Sequence, residues 1–274
     1  MITAGIDVGS TYTKAAIFDG EQILATALAP TGFRLSWVAR KVFDEALADA
    51  GLDETQIEYV ISSGIGRHQV GFKDLAVTDL TASARGANYF FPGTRTVLDV
   101  GGQTMKASRI AGSAKVEAFR LNDKCAAGTG AFLEKTARYM GYDVEAIGQV
   151  METSRAAVPI SGVCAVFAES EVINHLSLGT PPGDIMQGAM ESLTTRTVQL
   201  MRRIKAKPEY TLVGGILRFQ TMADTVERNL GHEVNVPEGD LCQYVAAVGA
   251  GVLGHKRLER LASGAFAAHA EARA

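Results

Sequence analysis

The amino-acid sequence predicts an α/β protein built from two similar halves. Its 274 residues exceed what one small domain needs and suit two domains. Hydrophobic residues make up 47% of the chain, which is enough for a packed core. Stretches with strand-like and helix-like spacing alternate, and one hairpin signature occurs in each half. A duplicated α/β unit accounts for all three observations.

The repeated signature is an apolar residue, Asp-Val-Gly, four further residues and then Lys-Ala. One copy occupies residues 6–15 and the other residues 98–107. Each copy lies between two strand-like runs, which predicts a hairpin whose turn carries Asp, Gly, hydroxyl and amide groups. A repeat at this separation indicates a duplicated domain rather than a solenoid, whose units are shorter.

The first half is predicted to contain a long helix between strands. Apolar residues recur at helical spacing from Leu35 to Ala50, which predicts an amphipathic helix that ends at Gly51. A strand is predicted at residues 58–62. A second helix is predicted at residues 81–91, where Pro92-Gly93 stops it.

The domain boundary is predicted at this Pro-Gly pair, giving an N-terminal half at 1–92 and a C-terminal half at 93–274. The elements predicted for the second half are helices at 132–140, 165–178 and 183–204, a strand at 210–213 and a final helix at 244–261. The Ala-rich end from Ser263 is predicted to be a frayed tail.

Charge and composition exclude several classes of function. The formal net charge is −3 and no Lys/Arg-rich block occurs, so we expect neither nucleic acid nor a membrane surface as partner. No basic leader or long apolar window is present, so a cytoplasmic location is expected. Three cysteines do not make a disulfide framework; they are reduced thiols, metal ligands or core residues.

The two hairpin turns carry groups that suit a nucleoside triphosphate. Glycine lets backbone N–H groups approach phosphate oxygens, and Asp7 and Asp99 can hold hydrated Mg²⁺. The remaining candidate phosphate ligands are Gly9, Ser10, Thr11, Thr13 and Lys14 in the first turn, and Gly101, Gly102, Gln103, Thr104 and Lys106 in the second. A single turn of this kind could equally be a tight hairpin whose Asp bonds its own backbone. The presence of two matching turns favours phosphate binding.

Gly214-Gly215, which follows an apolar strand, is the candidate adenosine motif, because bare backbone would let adenine and ribose lie close. The alternative is a strand-to-helix turn that needs a positive φ.

This layout resembles the superfamily of actin, heat-shock chaperones and sugar kinases. Its members carry two phosphate-facing Asp-x-Gly hairpins and a later Gly-Gly motif, in the order found here. The resemblance covers the whole chain. It implies two ribonuclease-H-like domains with ATP in the cleft between them.

Two cysteines each precede a predicted helix. Cys125 lies in a Gly/Ala-rich stretch before the helix at 132–140, and Cys164 directly precedes the helix at 165–178. Helix N-termini favour thiolates, and neighbouring N–H groups can donate to cluster sulfides. Since the two do not form a Cys-x-x-Cys pair, a four-cysteine cluster would need two chains. The alternative is that both are ordinary buried thiols.

Residues 122–132 and 164–173, together with both hairpin turns, resemble the ATPase family of 2-hydroxyacyl-CoA dehydratase activators and benzoyl-CoA reductase ATPase subunits. The resemblance implies one 4Fe–4S cluster per dimer, held by Cys125 and Cys164 of each subunit. It implies a second subunit, identical or paralogous, and a ferredoxin or flavodoxin as electron donor. It also implies that ATP hydrolysis drives an electron to an acyl-CoA-acting partner. Asp7, Asp99 and Gln103 are then the expected catalytic residues.

Two departures from the activator pattern shift the expected substrate. Thr104 stands where the activators usually have Asp, and Ile216-Leu217-Arg218-Phe219 stands where they usually have Val-Ala-x-Asn. We therefore expect a benzoyl-CoA reductase subunit, with a dehydratase activator as the alternative. A sugar or acid kinase and a mechanical actin-like ATPase, both without iron, are the rival classes. Cys242 and Trp37 are expected to be structural packing residues.

Overall fold

The computed structural model of the protein describes residues 1–122, 129–161 and 165–263. The chain forms two compact units. The first consists of Met1–Pro92 together with the last helix, and the second is Gly93–Gln243.

The N-terminal part of the first unit contains β1 (Ile2–Val8), β2 (Tyr12–Phe18), β3 (Ile23–Pro30), α1 (Leu35–Ala50), β4 (Ile57–Gly64), β5 (Leu75–Ala76) and α2 (Asp79–Phe90). The second unit contains β6 (Thr96–Val100), β7 (Met105–Ile110), β8 (Val116–Asn122), α3 (Gly130–Tyr139), α4 (Ile147–Glu152), α5 (Ala165–Ser177), α6 (Pro182–Arg203), β9 (Tyr210–Val213), α7 (Gln220–Leu230) and β10 (Val234–Asn235). The final helix, α8, spans Val245–Ala262.

The two sheets follow the same path, which confirms the predicted duplication. The first has the order β3-β2-β1-β4-β5 and the second the order β8-β7-β6-β9-β10. In each sheet the first three strands of the unit pair antiparallel with one another. The last two strands of each sheet run parallel to theirs. Both hairpin signatures therefore occupy the same position, between the first and second strands of a unit.

Helix α1 has the predicted bounds because its apolar spacing and the glycine at its C-terminal end agree. Its apolar face, including Val38, Val42, Phe43 and Leu47, is buried against the first sheet. Gly51 closes the helix with a φ of 67° and donates its N–H to carbonyls of the last turn.

Helix α8 packs in the first unit, whereas the sequence assigned residues 244–274 to the second half. Glycines allow the close approach: a Cβ on Gly5 of β1 would lie 1.8 Å from the Ala247 carbonyl oxygen. A Cβ on Gly249 would lie 1.9 Å from the carbonyl oxygen of Ala82 in α2. The first unit is therefore built from both ends of the chain, and the second is one continuous segment.

Candidate active site

The first hairpin turn, residues 9–11 between β1 and β2, holds a buried carboxylate opposite a lysine. Asp7 is 7% exposed and pairs in register with Lys14 across the hairpin. The Lys14 Nζ lies 3.2 Å from Asp7 Oδ2. The Gly9 N–H donates to the Tyr12 carbonyl and closes the turn. The ion pair and the closed turn fix the position of the carboxylate.

The hydroxyl groups of Thr13 and Thr31 support this turn through hydrogen bonds. The Thr31 hydroxyl donates to the Gly9 carbonyl at 2.8 Å, and the Thr13 hydroxyl is 2.9 Å from that of Thr31. The Thr31 N–H donates to the Thr11 carbonyl. Thr13 is fully buried, so its hydroxyl supports the turn and is not presented to a ligand. This differs from the sequence expectation, which counted Thr13 as a phosphate ligand. Thr31 was missed because it lies outside the signature.

The end of β4 forms a wall beside Asp7. Gly64 has a φ of 84°, and a Cβ there would lie 2.7 Å from Asp7 Oδ1 and 2.4 Å from the Val8 carbonyl oxygen. The Gly66 N–H donates to the same Val8 carbonyl. This segment was not predicted from the sequence. The signal was a Gly-x-Gly directly after a strand, the same kind of signal as Gly214-Gly215.

The second hairpin turn, residues 101–104 between β6 and β7, repeats the first. Asp99 pairs in register with Lys106, whose Nζ lies 3.9 Å from Asp99 Oδ2. The Gly101 N–H donates to the Thr104 carbonyl at 2.8 Å. Gln103 is exposed and Thr104 is half-buried. The second unit therefore offers the same Asp, Lys and Gly-turn arrangement as the first.

The second turn also holds the start of α3. The Gly130 N–H donates to the Gly101 carbonyl at 3.0 Å, and the Ala131 N–H donates to the Gly102 carbonyl at 2.8 Å. The first N–H groups of a helix have no partner within the helix, and here two of them are satisfied by the turn. The position of the turn and that of the N-terminus of α3 are therefore linked directly.

Gly214 and Gly215 lie beside the second turn. Gly214 has a φ of 110°, and a Cβ there would lie 2.2 Å from the carbonyl oxygen of Val100, the residue before the turn. The Gly214 N–H donates to the Cys242 carbonyl at 2.8 Å. Cys242 is buried, and burial raises the pKa of its thiol to about 12, as expected for a structural residue.

Cys125 and Cys164 lie outside the described residues, but the helices that follow them in the chain are described. The Lys135 Nζ of α3 lies 2.6 Å from a carboxylate oxygen of Glu169 in α5, and the Tyr139 hydroxyl is 3.5 Å from the same atom. Ala168 and Val172 of α5 share one buried core with Phe132 and Leu133 of α3. The two helices are thus packed and ion-paired in one unit.

Within residues 1–122, 129–161 and 165–263, no three His, Cys, Asp or Glu side chains are grouped so that they could hold a metal ion. In the same ranges, none of the helices is long and apolar enough to cross a membrane.

A family model described as the BadF/BadG/BcrA/BcrD ATPase family matches residues 4–254. The 2-hydroxyisocaproyl-CoA dehydratase activator of Clostridioides difficile is 36% identical, over 91% of this chain and 93% of that protein. A benzoyl-CoA reductase subunit of Thauera aromatica is 31% identical, over 95% of this chain and 95% of that protein.

Solved structures also resemble this chain. The (R)-2-hydroxyglutaryl-CoA dehydratase component A of Acidaminococcus fermentans has a TM-score of 0.89 and 34% identity, covering 94% of this chain and 98% of that one. A ROK-family glucokinase from Streptomyces griseus has a TM-score of 0.57 and 16% identity, covering 93% of this chain and 100% of that one. The second likeness concerns the fold alone, and it confirms the expected sugar-kinase-like architecture.

Proposed function

The chain belongs to the BadF/BadG/BcrA/BcrD ATPase family, and from that premise we propose that it is an ATP-driven electron-transfer protein that activates a 2-hydroxyacyl-CoA dehydratase. The similarity to dehydratase activators supports this substrate class: the identity is 36% to one activator against 31% to the benzoyl-CoA reductase subunit. The comparisons thus favour the alternative over the main expectation from the sequence.

The observation that carries the proposal is the pair of hydrogen bonds between the second turn and α3. Gly101 and Gly102 accept from Gly130 and Ala131, at the start of the helix that follows Cys125 in the chain. A ligand that shifts the turn must therefore move or strain the first turn of α3. ATP and ADP differ by one charged phosphate, and a ligand shifts an equilibrium only if it binds the two states differently.

The residues of the turns divide into three proposed roles. Asp7 and Asp99 hold the water shell of Mg²⁺, whose preference for oxygen ligands and retained waters fits lone carboxylates. Gln103, which is exposed, orients the attacking water. The proposed phosphate ligands are Gly9, Ser10, Thr11, Lys14, Gly101, Gly102, Thr104 and Lys106, with adenosine against Gly214 and Gly215.

Cys125 and Cys164 are the proposed ligands of a 4Fe–4S cluster. Two thiolates per chain are half of the four that such a cluster takes, so the donor set fits a cluster shared by two subunits. When bound, the cluster would accept and release single electrons. The chain's own contribution is to fix α3 against α5 through Lys135 and Glu169.

The surface of α5 supports the second subunit. Val166, Phe167 and Ile173 are each at least half exposed, as is Leu178 just beyond the helix. These apolar residues recur at helical spacing, beginning two residues after Cys164. An exposed apolar stripe of this kind is typical of a protein interface. We propose that the stripe lies at the interface with an identical or paralogous chain.

A benzoyl-CoA reductase subunit is the second candidate. It is favoured by Thr104, which removes a carboxylate that the activators usually carry in the second turn. In either case a ferredoxin or flavodoxin is the proposed electron donor.

The proposal is tested by anaerobic purification with iron counting and an EPR spectrum. Cys125→Ser and Cys164→Ser should each lose iron and weaken the dimer. Cys242→Ser, at a buried position beside the adenosine motif, is the control and should retain both. A stable monomer with full iron content would contradict the shared cluster.

The substrate class is tested separately by supplying partners. Catalytic subunits of a 2-hydroxyacyl-CoA dehydratase and of a benzoyl-CoA reductase are each mixed with the reduced protein and Mg-ATP. ATP-dependent dehydration without ring reduction supports the proposal. Ring reduction without dehydration would contradict the proposal and support the second candidate, a benzoyl-CoA reductase subunit.

A further inference from the structure

The first unit carries a pocket that the proposed function does not use. Its volume is about 410 Å³, within the range of small-molecule sites. The pocket is lined by Phe33, Arg34, Leu35, Ser36, Trp37 and Gln69. Two of its walls come from different elements, the start of α1 and the turn that follows β4.

Two aromatic rings in this pocket are left in solvent. Phe33 is 90% exposed and Trp37 is 54% exposed. Trp37, which the sequence suggested to be a packing residue, thus has about half of its surface exposed. Tryptophan at an exposed position next to a second aromatic ring is characteristic of binding sites.

The pocket is also cationic. The guanidinium carbon of Arg34 lies 4.8 Å from the ring centroid of Trp37 and 5.8 Å from that of Phe33. Among the described residues, Arg34 has no carboxylate partner within ion-pair distance. The sequence has no Asp or Glu between Glu21 and Asp44, nor between Glu58 and Asp74. The chemistry that fits is a planar aromatic group bearing a negative charge.

The segment that follows β4, residues 64–69, has the same local structure as the proposed adenosine motif at residues 214–218. Gly64 ends β4 and Gly214 directly follows β9, and both have a positive φ, at 84° and 110°. Each is followed by a 3-10 turn with an arginine that donates back to a glycine carbonyl, Arg67 to Gly64 and Arg218 to Gly215. In the first unit, the Gln69 at the end of this turn lines the aromatic pocket.

We propose that this pocket binds a nucleoside phosphate, with the base stacked on Trp37 and Phe33 and the phosphate paired with Arg34. Base–aromatic stacking is favourable for any base, and a guanidinium matches phosphate geometry. Adenosine monophosphate and coenzyme A both carry a base and a phosphate, and the test below distinguishes between these two ligands.

The test uses the intrinsic fluorescence of Trp37, which is the only tryptophan of the chain. The anaerobically purified protein is first given one molar equivalent per chain of a non-hydrolysable Mg-ATP analogue, so that the proposed ATP site is filled while no excess analogue is left to occupy the pocket. It is then titrated with adenosine monophosphate, coenzyme A, adenosine or inorganic phosphate. Saturable quenching is expected with the first two, and a much weaker response with adenosine or phosphate alone. The source with the lower dissociation constant identifies the ligand.

Arg34→Gln should weaken this binding about tenfold or more, since it removes one charge-assisted contact. Lys41→Gln removes the same charge from the same helix at an ion-paired position and should change the affinity little. Thermal unfolding of both variants checks that they fold. Iron content and ATP hydrolysis are measured on the same samples, so that failure of the proposed function is seen separately.

Equal affinity in the wild type and in Arg34→Gln would overturn the proposal, as would quenching that never saturates. A change in Trp37 fluorescence on adding the dehydratase or reductase subunits, with no change on adding nucleotides, would also overturn it. In that case the pocket would be a protein-docking surface.

Discussion

At the scale of single residues, each candidate magnesium carboxylate already has a lysine opposite it. The Lys14 Nζ is 3.2 Å from Asp7 and the Lys106 Nζ is 3.9 Å from Asp99. The lysine neutralises the carboxylate when no cation is bound. We propose that, with Mg-ATP present, the same ammonium pairs with a phosphate oxygen instead.

Asp7→Asn and Asp99→Asn should each lower the rate of ATP hydrolysis about a thousandfold, because the amide keeps the shape but cannot hold hydrated magnesium. Iron content should stay near that of the wild type, since neither residue lies in the cysteine segments. Asp49→Asn, at an exposed position on α1, is the control. Normal turnover in either variant would show that the turn concerned is only structural.

Gly64 should be far less tolerant of a side chain than another glycine with positive φ. Gly64→Ala must place a Cβ 2.4 Å from the Val8 carbonyl oxygen, whereas Gly51→Ala meets nothing within 4 Å. The left-handed backbone costs each variant about 1–2 kcal/mol, and the clash adds about 1–3 kcal/mol to Gly64→Ala alone. Urea unfolding of both variants measures the difference.

ATP hydrolysis by the same two variants shows whether Gly64 supports Asp7. Gly64→Ala should lose most of its activity even where it remains folded, and Gly51→Ala should keep it. Equal activity in the two variants would mean that the wall beside Asp7 has no part in the reaction.

At the scale of elements, one substitution removes one of the two hydrogen bonds that link the second turn to α3; the bond from the Ala131 N–H to the Gly102 carbonyl remains. Gly130→Pro removes the N–H that donates to the Gly101 carbonyl, and proline is tolerated at the first position of a helix. Gly130→Ala keeps the N–H, with its Cβ at a tight but possible 3.4 Å from the same oxygen.

In the wild type, an ATP analogue should change the rate at which a chelator removes iron from the reduced protein, and ADP should do so less. Gly130→Pro should bind ATP but show a smaller difference in chelation rate between the two states, while Gly130→Ala should resemble the wild type. A full nucleotide effect in Gly130→Pro would mean that coupling follows another route.

Elements whose signals are local were predictable from the sequence. Helix α1 was predicted with its observed bounds because apolar spacing and Gly51 agree, and β9 was predicted at 210–213. Strands β3 and β8 were missed because they are only partly buried and lack a clear alternation. Helix α7 was missed although Met222, Val226 and Leu230 recur at helical spacing, so this helix could have been predicted from the sequence.

Site features that depend on long-range contacts could not be predicted. Thr31 supports the first turn from the position just after β3, and Gly64 reaches Asp7 only because β4 pairs with β1. The exposure of Trp37, in contrast, could have been predicted, because Arg40 and Lys41 lie three and four residues further on and mark the polar face of α1. The hairpin turns themselves were predictable, since their chemistry is contained in ten consecutive residues.

At the scale of the whole molecule, the first unit depends on a helix from the far end of the chain. Gly249→Val should destabilise this unit, because any Cβ at position 249 collides with the Ala82 carbonyl of α2. Hydrogen exchange should speed up in β1, β4 and α2 and change little in the second unit. Gly71→Ala, in the same unit but with nothing within 4 Å, is the control. Uniform loss of protection in both units would indicate a single cooperative fold.

Because α8 packs in the first unit, the two units are expected to fold in a fixed order while the chain is synthesised on the ribosome. The second unit is one uninterrupted segment, so it can close as soon as residue 243 has left the exit tunnel. The first unit is translated earlier, yet β1 and α2 keep their glycine-lined surfaces uncovered until α8 emerges. The half of the protein that is made first is therefore finished last. Until then, its exposed sheet is the part of the nascent chain that would need a chaperone.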